Sequence, residues 1–169
     1  KNFIDIPDNK FILINDENPQ DSEHIQIWNF VINIKDDCPY KGGNFFFSFY
    51  FPKDNKEPLQ IKLINKIYHP NFKGDGNDIY EIFYDYKEKN KSVKKKHYYP
   101  IIINRIMKYF YIPVNIYEIL KFIYSLIINP SLKECDIMNK ECAEEMKKNR
   151  NLYIEIAKYW TEKKIYEDY

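Results

Sequence analysis

The chain has 169 residues, 44% of them hydrophobic, with 16 Tyr, 12 Phe and a formal net charge of +1. That length and apolar content predict a single domain over 1–169 with a sizeable core, not a disordered chain. The near-neutral balance excludes a chain-wide nucleic-acid surface, and no apolar run is long enough to span a bilayer. Heavy use of Lys, Asn, Ile and Tyr beside only 4 Gly has the look of an AT-rich coding bias and is set aside as a functional signal. The opening "KNFIDIPDNK" is polar and mixed, unlike a signal peptide. Without an initiator Met it reads as a piece excised from a longer chain.

The first half carries strand signals. "KFILIND" and "HIQIWNFVINI" read as two strands. In the second, Ile25, Ile27, Asn29, Val31 and Asn33 share one face, and Gln26, Trp28, Phe30 and Ile32 the other. "DDCPYKGG" is a turn cluster, "NFFFSFYF" a third strand ending at Pro52, "KDNKEP" another turn and "LQIKLI" a fourth strand. Consecutive strands with short links predict a four-stranded antiparallel meander.

The second half changes period. Asn115 is a candidate N-cap, and Ile116, Ile119, Leu120, Ile123 and Ile127 repeat at helical spacing. "NPSLKECDIM" breaks that helix, and Asn139 can cap a short one over "KECAEEMKK". A last helix runs through "NLYIEIAKYWTEKK", with Leu152, Ile156 and Trp160 predicted along one face. Strands first and helices afterwards predict an α+β fold. Between the halves lies a segment over 85–109, charged at first and with a short helix expected after Pro100. It is basic through Lys87, Lys89, Lys91, Lys94, Lys95 and Lys96 and reads as a solvated loop or a surface for an acidic partner.

The cysteines are Cys38, Cys135 and Cys142. With no CxxC spacing they form neither a disulfide framework nor a zinc site, and a reduced cytoplasmic or nuclear location is expected. His24, His69 and His97 are scattered and there is no glycine-rich phosphate loop, so neither metal nor cofactor is expected.

Four stretches then stand in a telling order. Trp28 is followed by "DDCPYKGGNFFFSFYFP", then "IYHPNF", then "YIPVNIYEILKFIYSLIINPSL", then "MNKECAEEMKKNRNLYIEIAKYW". Together they resemble the ubiquitin-conjugating enzyme family, the carriers that take ubiquitin from an activating enzyme and pass it on. The resemblance runs roughly from Phe11 to Lys164. It implies that family's α+β fold, with a basic insertion near residues 85–109 and no counterpart here of the family's N-terminal helix, which is expected upstream if present.

The resemblance also implies a site, and the site departs from the pattern. His69, Pro70 and Asn71 match the His-Pro-Asn signature and Gly76 the glycine that follows. Counting on to the nucleophilic cysteine reaches Ile79, flanked by Asp78 and Tyr80, which also depart from the family. No Cys occurs from Lys41 to Glu134, so no small shift of register supplies one. Ubiquitin is carried as a thioester, and Ile has no nucleophilic atom. Asn71 matches an asparagine associated with the oxyanion of transfer; its alternative reading, with His69, is to hold the loop in shape. Ile112, Pro113 and Val114 stand where the family docks ligases, and "KDNKEP" offers charge where an aromatic is usual.

The expectation is therefore a non-catalytic relative, with His69, Pro70, Asn71 and Ile79 a vestigial site and no catalytic residues. It would act as a binding module for ubiquitin, a ubiquitin-like protein, an active conjugating enzyme or a ligase. Non-catalytic variants in the family usually lose His-Pro-Asn and the closing helices, and both are kept here. Two alternatives stay open. One is an active transferase with a non-standard cysteine, Cys135 or Cys142, which the resemblance places away from the His-Pro-Asn loop. The other is a scaffold domain with no ubiquitin link.

Overall fold

The computed structural model describes residues 10–17, 24–52, 59–74, 78–82 and 116–167. Outside them lie the basic insertion, the helix expected after Pro100, the "KDNKEP" turn, Gly76, Asn115, and the Ile112, Pro113 and Val114 group.

Strands β1 (Phe11–Glu17), β2 (His24–Asn33), β3 (Asn44–Pro52) and β4 (Leu59–Leu63) form the antiparallel meander that consecutive strands with short links predict. A fifth strand, β5 (Asp78–Ile82), extends it, so the spatial order is the chain order β1-β2-β3-β4-β5. Period-two patterning did not announce β5, because "DIYEI" does not alternate. Pairing with β4 places Ile79 opposite Lys62 and Tyr80 opposite Ile61.

One face of the sheet is apolar. Phe11, Phe30, Ile32, Phe45, Phe47, Phe49, Leu59, Ile61 and Leu63 are buried together. Each such side chain contributes on the order of 1.5–3 kcal/mol when fully withdrawn from water. Helix α1 (Ile116–Ile128) joins the same core through Ile119, Leu120, Ile123 and Ile127. Phe11 meets the rings of Tyr117 and Tyr124 edge-on, at 6.1 and 5.8 Å between centroids, tying the edge strand to the helix. The other face of the sheet leaves Ile12 and Ile14 about half exposed.

Helix α1 ends where Pro130, with no N–H to donate, stops the ladder; the last bond is Asn129 N to Ser125 O at 2.9 Å. A 3₁₀ turn over Glu134–Asp136 follows, then α2 (Lys140–Lys148) and α3 (Arg150–Glu167). Asn139 caps α2 as predicted, its Oδ1 accepting from Cys142 N at 3.0 Å. Asn149 ends α2, and its Oδ1 accepts from Leu152 N at 3.2 Å, so one residue joins the two helices.

The packed face of α3 is not the predicted one. Tyr153, Ala157 and Thr161 are buried, whereas Leu152 and Trp160 are exposed and Ile156 only half-buried. The reason lies across the contact. Tyr40 offers a buried hydroxyl to Tyr153, and Gly43 leaves room for the neighbouring turn of the helix. A Cβ on Gly43 would meet Thr161 Cγ2 at 2.8 Å and Phe45 Cε2 at 2.9 Å. Shape and one hydrogen bond outweigh hydrophobicity at that surface.

Candidate functional site

The connection from β4 to β5 carries His69, Pro70 and Asn71. Ile67 fixes its start in the core, and Gly74 turns the chain at φ +85°. A Cβ at Gly74 would lie 2.4 Å from the Ile67 carbonyl oxygen, so this turn admits glycine alone without a backbone shift.

His69 is fully buried. Its Nδ1 accepts from the Asn71 N–H at 3.0 Å. The other nitrogen, Nε2, must then carry the proton, and it donates to the Ile127 carbonyl at 3.3 Å. The ring lies against Tyr40 and Phe72, at 5.3 and 5.0 Å between centroids. Burial strips water from the charged form and lowers the pKa to about 3. His69 is therefore a neutral strut between the His-Pro-Asn turn and the end of α1, with neither nitrogen free.

Asn71 is equally committed. Its Nδ2 donates to Ser131 O at 2.7 Å and to Asp136 O at 2.9 Å, and its Oδ1 accepts from Ser131 N at 2.8 Å. The side-chain amide thus pairs with the Ser131 peptide as one backbone unit would with another, and the second N–H clamps the 3₁₀ turn. Both donors are spent on carbonyl groups. Pro70 completes the attachment, its carbonyl accepting from Met138 N at 2.8 Å and Asn139 N at 3.0 Å. Asp136 is buried, with Oδ2 accepting from Ser131 Oγ at 2.5 Å. The segment 131–139 is wrapped on the turn by at least five such bonds.

This overturns the expectation that Cys135 and Cys142 lie away from the loop. Cys135 sits in the 3₁₀ turn whose Asp136 carbonyl holds Asn71. It is exposed, with Sγ 3.5 Å from Asp136 Oδ1. Cys142 is buried in the first turn of α2, close to the side chain of Tyr68, the residue before His69. Burial pushes its thiol up to about 12, so it stays protonated at neutral pH. Burial also raises half-buried Cys38. Sequence distance hid these contacts, which span about sixty residues of chain.

A second buried polar set backs the first. Tyr40 Oη donates to Tyr68 O at 2.8 Å and accepts from Tyr153 Oη at 2.7 Å. The Pro-Tyr turn, the approach to His69 and helix α3 therefore meet at one phenol. Nothing in the sequence beyond the resemblance marked Tyr40 or Tyr153. Their buried hydroxyls, not their ring size, are what the site uses. Among the described residues no three His, Cys, Asp or Glu side chains gather as a metal-ligand set.

The profile of the ubiquitin-conjugating enzyme family matches residues 8–161. Two solved structures share the fold. A candidate ubiquitin conjugating enzyme from Plasmodium yoelii superposes with a TM-score of 0.64 at 22% identity, over 92% of this chain and 82% of the other. The E2 domain of a Toxoplasma gondii ubiquitin conjugating enzyme gives 0.59 at 24% identity, over 87% of each chain.

Proposed function

The chain belongs to the ubiquitin-conjugating enzyme family, and we propose that within it this domain is a non-catalytic binding module of a ubiquitin or ubiquitin-like pathway. Its partners would be ubiquitin or a ubiquitin-like protein, an active conjugating enzyme, or a ligase, in the cytoplasm or nucleus. Among the described residues no helix is long and apolar enough to cross a membrane.

One observation carries the reading: no cysteine lies between Lys41 and Glu134, and Ile79 occupies the position that the motif count assigns to the nucleophile. In the backbone register Ile79 is paired within β5 opposite Lys62. The kept histidine and asparagine fit the reading too. A neutral buried imidazole cannot take up a proton at physiological pH, and an amide whose donors are both engaged has none left for a developing oxyanion. His69 and Asn71 then persist for the loop they hold, not for a reaction.

The second reading is a thioester carried on Cys135, favoured by its exposure and its place one residue from the Asp136 carbonyl that binds Asn71. A charging assay separates the two. The protein is mixed with activating enzyme, ATP and labelled ubiquitin, and resolved without reductant beside an authentic conjugating enzyme. No thiol-sensitive band is expected. A band abolished by reductant and by Cys135→Ser would overturn the non-catalytic reading. A companion titration with labelled ubiquitin and with a charged conjugating enzyme tests the binding half, and no binding to either would leave only a scaffold.

A further inference from the structure

We draw no further inference here: the strongest candidate, the solvent-facing side of the sheet around Ile12, Ile14 and Phe46, carries none because nothing in the structure shows what covers it.

Discussion

Two polar clusters grip helix α1 within a single turn of each other, and they work by different physics. At Ile127 the helix carbonyl receives buried His69, which leads through Asn71 to Ser131 and Asp136. At Tyr124 the hydroxyl bonds Asp36 Oδ2 and accepts from Lys35 N at 3.3 Å, with Lys10 Nζ 4.5 Å above the ring. The first cluster joins the neutral His69 and Asn71 side chains to backbone groups out of water. The second joins charges at the surface, where Asp36 and Lys10 keep much of their hydration. Buried groups are costly to orphan, whereas exposed ion pairs are screened and contribute little.

The largest effect should come from Asn71. Asn71→Ala strips partners from two carbonyls and one N–H and is expected to cost about 3 kcal/mol or more in chemical denaturation, at one to a few kcal/mol per orphaned buried group. Asn71→Asp should be no better, since a carboxylate cannot donate to the Ser131 and Asp136 carbonyls. A loss below about 1 kcal/mol for both would mean that the 131–139 segment is held by other contacts, and the contrast would collapse.

Next in size is a dependence on pH. The unfolded chain protonates His69 near its ordinary 6.5, while the folded chain resists to about 3. Between those values the unfolded state binds the extra proton, so stability falls as pH falls, by about 1.4 kcal/mol per unit and about 2 kcal/mol by pH 5. The imidazole NMR signals of the folded protein should stay those of the neutral Nε2–H form to pH 4. Signals that titrate near 6.5 would place the ring in water.

The smallest effect belongs to the surface cluster. Tyr124→Phe removes the hydroxyl bonds and keeps the ring against Phe11, so a loss of about 1 kcal/mol is expected. Removing the Asp36 charge with Asp36→Asn should matter less than that, and what effect remains should shrink in high salt. A salt-insensitive loss as large as that of Asn71→Ala would show that the two clusters are alike after all.

The site was partly legible. The tripeptide His69-Pro70-Asn71 could be picked out because its residue types sit at fixed spacing in one short stretch. Its partners Ser131, Asp136, Met138 and Ile127 could not, because each offers mainly a backbone group, and backbone groups look the same in every residue. The same blindness set Cys135 far from a loop that it adjoins.

In the fold the division follows the same line. The apolar strand runs of β2 to β4 between their turn clusters, the 3.6-residue repeat of α1, Pro130 at its end and Asn139 at the next start fix elements from local chemistry, and the sequence determined them by itself. Three features needed the tertiary structure. Strand β5 forms because β4 offers it an edge, not because "DIYEI" alternates. Helix α3 turns Tyr153, Ala157 and Thr161 inward because Tyr40 and the bare Gly43 shape the surface that receives it. The amide of Asn71 is spent on a loop about sixty residues away, because burial leaves a donor no water and it takes the carbonyls that packing brings within reach.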